Sequence, residues 1–109
     1  MTMADDRIYM LNALWFRPDG GAATYARYAA AAGPFVAELG GRLLDGYVPE
    51  AELIGSWKPD VFFVVEWPNL QQFASLAAHP GYQQIAHLRD EAISDSLLIR
   101  CARMTALSD

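Results

Sequence analysis

The sequence predicts an α+β fold with four strands and three helices in the order β-α-β-β-α-α-β. Strand-like apolar runs lie near both ends and in the middle of the chain, and helix-like spacing of apolar residues fills the stretches between them. Glycine and proline residues stand at most of the boundaries. The length of 109 residues is that of one domain, so we expect residues 1–109 to form a single unit.

The first strand and helix follow from an unbroken apolar run and then from helical spacing. Residues 7–16 are rich in large apolar side chains and end at the turn sequence Arg17-Pro18-Asp19-Gly20, in which Asp19 can cap a helix. Pro34 is expected to kink or split this helix, because proline lacks an N–H and clashes one turn back. The apolar face of the helix consists of Tyr25, Tyr28, Ala29, Ala32, Phe35, Val36 and Leu39.

The middle of the chain predicts two strands and a capped helix. Residues 42–48 and 57–67 are typical of strands. Asn69 can then cap a helix from which Gln72 reaches back, in a capping-box arrangement. A break at His79-Pro80-Gly81 separates this helix from another over residues 82–93, and residues 96–104 make the last strand.

The third strand indicates how the sheet is covered. The element order is that of a ferredoxin-like β-α-β-β-α-β unit with its second helix split. Helices cover one face of such a sheet, and a wet second face would alternate polar with apolar residues. Residues 61–67 are instead apolar on both faces, apart from Glu66. We therefore expect a dimeric α+β barrel, in which the sheets of two copies of the chain pack face to face.

Composition limits the partners and the location. The net charge of −5 and the pI of about 4.8 argue against nucleic acid or an anionic membrane as a partner. No apolar run reaches the ~18–20 residues of a membrane span, and residues 1–6 do not resemble a signal peptide. A single cysteine, Cys101, is typical of a protein in a reducing compartment. We therefore expect the homodimer to be cytoplasmic.

Several motifs together resemble the DUF1330 family. The resemblance spans roughly residues 9–99 and implies the dimeric α+β barrel fold, although the family is largely uncharacterised and implies little about chemistry. The wider superfamily includes cofactor-independent monooxygenases and polyketide cyclases. The motifs are Tyr25-x-x-Tyr28, Pro34, Gly40-Gly41-Arg42-x-Leu44, Val64-Val65-Glu66-Trp67-Pro68-Asn69-Leu70, Pro80-x-Tyr82-Gln83 and Leu88-Arg89-x-x-Ala92.

Charged side chains inside apolar patterns are the first candidates for a site, because an unpaired buried charge is costly. We expect Glu66 to be buried and paired with Arg89 or Arg100, either as a structural ion pair or as a catalytic acid or base. Arg89 would alternatively bind a substrate carboxylate or enolate. His79 would complete an acid–base pair with Glu66, or else interact with a helix end.

Further candidates are polar or aromatic residues that would contact a ligand, namely Asn12, Trp57, Trp67 and Tyr82. Asn12 interrupts an apolar strand, and the strands carry more aromatic residues than a core of this size needs, which favours a flat hydrophobic ligand. We expect these residues to converge with Glu66, His79, Arg89 or Arg100 on one cavity. No metal or cofactor is expected, since the two histidines lie eight apart and no phosphate-binding glycine motif occurs.

Two classes of function remain open. The first is a cofactor-independent enzyme that acts on a small hydrophobic, aromatic or polyketide-like metabolite by proton transfer, in an isomerisation, cyclisation or dehydration. The second is a non-catalytic homodimer that binds a small molecule or serves in assembly. In addition, Glu66-Trp67 and His79 are similar to part of the pattern of antibiotic-biosynthesis monooxygenases, which implies a cofactor-free monooxygenase as a further alternative.

Overall fold

A computed structural model describes residues 6–108 of the chain. The strands are β1 (Ile8–Phe16), β2 (Arg42–Tyr47), β3 (Val61–Trp67) and β4 (Ile93–Cys101), and the helices are α1 (Gly21–Glu38), α2 (Leu70–Ala78), α3 (Pro80–Ile85) and α4 (His87–Ala92), followed by a short 3-10 helix over Met104–Ser108. This order confirms the predicted ferredoxin-like unit. None of the helices in this part of the chain has the length and apolar character needed to cross a membrane.

The strands form one antiparallel sheet in the order β2-β3-β1-β4. In this register Asn12 of β1 lies opposite Phe63 of β3 and Leu98 of β4, so these three side chains share one face. Tyr9 lies opposite Glu66 and therefore shares the other face with it. The pairing decides which side chains meet the helices, because the helices pack against the face of Asn12.

The core between the sheet and the helices consists of two separate clusters. One surrounds Ile8, Met10 and Trp67 at the α2 end, and the other surrounds Leu14, Ala92 and Ile93 at the α4 end. Residues of both clusters also line the cavity described below, including Met10 and Trp67 of the first and Phe16 and Phe63 packed against the second.

The second face of the sheet is apolar and carries no helix within the described residues. Trp15, Trp57 and Phe62 pack on it with ring centroids 6.4 Å and 5.8 Å apart. Leu97 and Ile99 of β4 are 41% and 44% exposed on the same face. The sequence-based expectation that β3 is apolar on both faces is confirmed, and within the described residues the second face is covered only in part, by the loop that carries Trp57.

Three predicted boundaries are wrong. The third strand begins at Val61 instead of residue 57, since residues 48–60 form an irregular loop that carries Trp57. The predicted helix over residues 82–93 is two short helices that meet at Ala86, and β4 begins directly at Ile93. The cap of α1 is Gly20 with φ of 80°, a left-handed conformation that suits glycine, and the predicted cap Asp19 is not used.

Helix α1 is continuous through Pro34, so of the predicted kink or split, the split does not occur. The residue before a proline normally avoids helical geometry, because its Cβ meets the proline ring. Here that residue is Gly33, which has no Cβ. By contrast, the prediction for Asn69 is confirmed, since its side-chain oxygen accepts the N–H of Gln72 at 2.8 Å. The Gln72 side chain binds the Leu39 carbonyl oxygen at 3.3 Å instead of reaching back to the cap.

Candidate functional site

A cavity of about 780 Å³ lies between the helices and the sheet. Its floor is the helix-facing side of the strands, and its walls come from α1, α2, α3 and α4. Helix α1 contributes small residues to the lining at Ala29, Ala32 and Gly33, and larger ones at Tyr25, Tyr28 and Val36. The small side chains leave space between α1 and the sheet, so they contribute to the size of the cavity.

Three tyrosines form a polar group in the otherwise apolar wall of the cavity. The hydroxyl oxygens of Tyr28 and Tyr82 lie 2.7 Å apart and share a hydrogen bond. The ring centroid of Tyr25 lies 5.3 Å from that of Tyr28 and 5.5 Å from that of Phe16. All of these side chains line the cavity. The cluster thus brings three side chains with hydroxyl groups into the wall of the cavity.

The hydroxyls of Tyr25 and Tyr28 remain protonated well above neutral pH. Burial raises the pKa of Tyr25 to about 12, although the positive charge of Arg89 opposes this shift. Burial and the hydrogen bond to Tyr82 also raise the pKa of Tyr28. These two hydroxyls are therefore hydrogen-bond donors, and they are not bases at physiological pH.

Arg89 extends from α4 to the same end of the cavity and lines it together with Tyr25 and Tyr82. Its positive charge opposes the rise in pKa that burial causes at Tyr25 and Tyr28, so the guanidinium lies close enough to act on both side chains. Within residues 6–108, no acidic group lies within ion-pair distance of Arg89, and its side chain makes no hydrogen bond. The neighbouring Arg17 instead donates to the backbone oxygen of Asp90 at 3.3 Å.

Asn12 and Asp60 complete the polar lining. Asn12 donates from its Nδ2 to the Met10 carbonyl oxygen at 3.1 Å, so its amide oxygen keeps its acceptor capacity. Asp60 Oδ2 accepts the backbone N–H of Phe16 at 2.7 Å, which ties the acid to the end of β1. Of the described residues that line the cavity, Asp60 carries the one carboxylate and Arg89 the one cation.

The structure divides the predicted site residues into two groups. Asn12, Trp67, Tyr82 and Arg89 line the cavity, as expected from the sequence. The lining within the described residues does not include Glu66, His79, Trp57 or Arg100. Arg100 is exposed on the edge strand β4, and Trp57 packs on the far face of the sheet. The expected convergence of all these residues on one cavity is therefore not observed.

Glu66 is mostly buried and is paired, as predicted, but its partner was predicted incorrectly. Its side chain is 12% exposed, and Oε1 lies 3.4 Å from a guanidinium nitrogen of Arg42. Arg42 lies directly opposite Glu66 in the pairing of β2 with β3, whereas Arg89 is on the other side of the sheet. The strand register thus selects Arg42 over the predicted Arg89 and Arg100.

Both ring nitrogens of His79 already have partners outside the cavity. Nε2 lies 2.6 Å from Oε2 of Glu38, and Nδ1 accepts the backbone N–H of Gly81 at 3.0 Å. The ring also packs against Phe35, with centroids 4.7 Å apart. His79 therefore caps the start of α3, whereas the sequence suggested an interaction with the end of the preceding helix.

Tyr25, Tyr28 and Asp60 are site residues that the sequence analysis did not select. The two tyrosines were interpreted as part of the apolar face of α1, which they are, but their hydroxyls also face the cavity. The signal that could have identified these two residues is a pair of tyrosine hydroxyl groups three positions apart on an apolar helical face. Asp60 follows a fully buried Pro59 and directly precedes β3, and no pattern distinguished it from an ordinary loop residue.

Metal binding finds no support in the described part of the chain, where no group of three or more His, Cys, Asp or Glu side chains is placed to hold an ion. The arrangement in the cavity is instead suited to an organic molecule. Apolar walls would surround its body, and the few polar groups at one end would orient it.

Comparison with known proteins identifies the family. The family model described as "Domain of unknown function (DUF1330)" matches residues 20–101. The chain belongs to this family. A crystal structure of a protein of unknown function from Rhodopseudomonas palustris is 31% identical over 93% of this chain and 85% of its own, with a TM-score of 0.86. None of the curated proteins that were compared matches the chain.

More distant solved structures share the fold of this DUF1330 protein. A dimeric ferredoxin-like protein of unknown function from Jannaschia sp. is 16% identical, with 89% of this chain and 99% of its own covered and a TM-score of 0.67. A putative antibiotic biosynthesis monooxygenase from Bacteroides thetaiotaomicron is 13% identical, with 94% and 93% covered and a TM-score of 0.67. At these identities the similarity shows the ferredoxin-like fold and carries no activity over to this chain.

Proposed function

We propose that this DUF1330 protein is a cofactor-independent enzyme that acts on a small hydrophobic, aromatic or polyketide-like metabolite by proton transfer in the cavity between helices and sheet. The observation that carries the proposal is an apolar cavity of about 780 Å³ whose described lining includes one carboxylate, one cation and a tyrosine cluster. Cavities of ~300–1,000 Å³ with few polar groups are typical of small-molecule sites.

Proton transfer requires a base, and Asp60 is the group in the lining that can serve. Its carboxylate would take a proton from a carbon next to a substrate carbonyl, and the electron pair left behind would move onto the carbonyl oxygen as an enolate. The protonated tyrosine hydroxyls would donate hydrogen bonds to that oxygen. Return of the proton from Asp60 to a different carbon would complete an isomerisation with no net change in protons.

The catalytic roles predicted for Glu66 and His79 stay predictions, and their positions support structural roles instead. Glu66 is on the sheet face away from the cavity and is paired with Arg42. His79 uses both ring nitrogens in contacts with Glu38 and Gly81. A general acid or base must come within hydrogen-bond reach of its substrate, and neither side chain lines the cavity.

A non-catalytic binding protein is the second candidate, and the position of Asp60 favours it. This carboxylate is exposed and already accepts the N–H of Phe16, whereas a strong general base in an enzyme is commonly desolvated. The cavity and its polar end would then serve to hold a ligand without changing it. The monooxygenase alternative is supported here by fold similarity at 13% identity and by no further observation.

We also propose that the chain works as a homodimer through the bare face of its sheet. Tyr47, Trp57, Leu97 and Ile99 expose 41% to 54% of their surfaces there, which is unusual for large apolar residues of a soluble monomer. The Jannaschia protein with the same fold is described as dimeric. Burial of this face against its copy would remove the apolar surface from water without covering the cavity, which is on the other side of the sheet.

A ligand screen followed by hydrogen exchange tests the enzymatic proposal. A thermal-shift screen of aromatic and polyketide-like ketones would first identify compounds that bind. NMR in heavy water would then follow exchange of the protons next to the carbonyl of each bound compound. We expect the protein to accelerate this exchange, and we expect Asp60→Asn to reduce it ~10²-fold or more, within the usual range for loss of a general base.

Asp90→Asn is the matched control, because it makes the same change at an exposed acid outside the cavity lining. Asn at position 60 retains an oxygen that can accept the Phe16 N–H, so the fold should be kept. Exchange that is equally fast with Asp60→Asn would exclude Asp60 as the base. If compounds bind but their protons do not exchange faster, the result would favour a non-catalytic binding protein. A screen without hits would argue against both the enzyme and the binding protein.

A further inference from the structure

We propose that the ligand of this cavity is a monocarboxylic acid with an aromatic or branched apolar body, and that Arg89 binds its carboxylate. This inference rests on the proposed function, because it specifies the molecule that the same cavity would hold. It is carried by the position of Arg89, by the hydroxyl groups beside it and by the distribution of charge around the lining.

The first step concerns the guanidinium of Arg89. Arg42 is paired with Glu66, and Arg17 donates to the backbone of α4. Arg89 is partly buried against the cavity, and within the described residues its side chain has neither a carboxylate nor a hydrogen-bond acceptor as partner. A guanidinium presents N–H groups in a fork that matches the two oxygens of a carboxylate. Arg89 is therefore suited to bind an acid that is not part of the described chain.

The second step concerns the hydroxyl groups that face the same space. Tyr28 and Tyr82 use one hydroxyl proton for the bond between them, so one proton of the pair remains to be donated elsewhere. The Tyr25 hydroxyl makes no hydrogen bond within the described residues. No described buried side-chain nitrogen or oxygen lacks a partner, so the groups left without one at this site remain accessible. The end of the cavity that contains Arg89 therefore offers donors, which suits oxygen atoms of a ligand.

The third step limits the number of acid groups. Asp60 belongs to the same lining and lies at the Phe16 end, where it accepts the backbone N–H. A second carboxylate on the ligand would have to share this lining with Asp60, and like charges at close range repel each other. The rest of the lining is apolar, with Phe63, Val65 and Trp67 on the floor. A ligand with one acid group at Arg89 and an apolar body over the sheet therefore fits this lining.

Matched acids and amides test the inference directly. Naphthoic, cinnamic and phenylpropanoic acids would be compared with their carboxamides, which have nearly the same shape and no charge, by calorimetric titration into the full-length protein. We expect each acid that fits to bind about tenfold or more tightly than its amide, as a charge-assisted hydrogen bond implies. Arg89→Gln should remove this preference, because the shorter amide side chain stays polar but has no charge.

Arg100→Gln is the matched control, since it removes the same charge from an exposed position outside the cavity, and it should keep the preference for acids. Arg89→Lys provides a second variant if Arg89→Gln does not fold, and it should keep part of the preference, as lysine retains the charge without the fork. Equal affinity of acids and amides, or an acid preference that survives Arg89→Gln, would overturn this inference while the cavity function still stood. Failure of the acids and the amides alike to bind would count against both proposals.

Discussion

The hydroxyl groups of Tyr28 and Tyr82 join α1 to α3 across the wall of the cavity, with their oxygens 2.7 Å apart. The rings meet edge to face at a centroid distance of 6.1 Å, so the contact combines ring packing with a hydrogen bond. The two residues are separated by 54 positions in the chain. This pair therefore links the stability of the fold with the shape of the proposed binding site.

Removal of one hydroxyl from this pair should weaken the fold by a modest amount. Tyr28→Phe keeps the ring and deletes the hydrogen bond, which typically costs ~0.5–1.5 kcal/mol in the free energy of unfolding. Urea denaturation would measure the change. The control is Tyr25→Phe, which removes a neighbouring hydroxyl that makes no hydrogen bond within the described residues, and it should cost less. A larger loss for Tyr25→Phe than for Tyr28→Phe would contradict the importance given to the buried pair.

Alkaline pH should destabilise the protein through its buried tyrosines. Burial raises the pKa of Tyr25 from 10.0 to about 12, so the folded state holds more protons than the unfolded state between these values. The free energy of unfolding is then at its full value below pH 10 and falls as pH rises towards 12. Urea titrations over this pH range would show the slope, and Tyr25→Phe should reduce it. The same slope in the wild-type protein and in Tyr25→Phe would mean that other groups cause the loss of stability.

A charge placed on the bare sheet face should prevent dimer formation. Ile99→Glu introduces a carboxylate into the apolar face, where an unpaired charge is costly to bury against a partner. Light scattering after gel filtration should give about twice the chain mass of 12.0 kDa for the wild-type protein and the monomer mass for this variant. Arg100→Glu changes the neighbouring residue, whose side chain is on the opposite face, and it should remain dimeric. A monomeric wild-type protein at micromolar concentration would refute the dimer.

Substitution of His79 should separate its capping role from its predicted catalytic role. His79→Ala removes the acceptor for the Gly81 N–H and should cost ~0.5–2 kcal/mol in the free energy of unfolding, as for other helix caps. His79→Asn supplies a good capping side chain and should recover most of that loss. If His79 is structural, His79→Asn keeps the catalytic rate with the true substrate. A stable His79→Asn variant without activity would support the original catalytic prediction.

Much of the fold could be predicted because its signals are local. The order of strands and helices follows from apolar spacing and from turn residues, and the cap at Asn69 depends on residues three positions apart. The alternation of β3 also indicates correctly that Glu66 shares a face with Phe62 and Val64 and that Trp67 belongs to the other face. The boundaries were less accurate at Pro34, where the helix continues and the preceding Gly33 has no Cβ to meet the proline ring, and at Trp57, whose apolar character belongs to a loop.

The sequence by itself determined which residues share a face, because alternation in a strand and spacing in a helix are properties of neighbouring positions. The tertiary structure alone decided which face the helices cover, and this separated Glu66 from the cavity that contains Arg89. The tertiary structure also determines that Arg42 is the partner of Glu66 and that Tyr28 bonds to Tyr82. These choices depend on strand register and helix packing between distant parts of the chain, which no short stretch of sequence encodes.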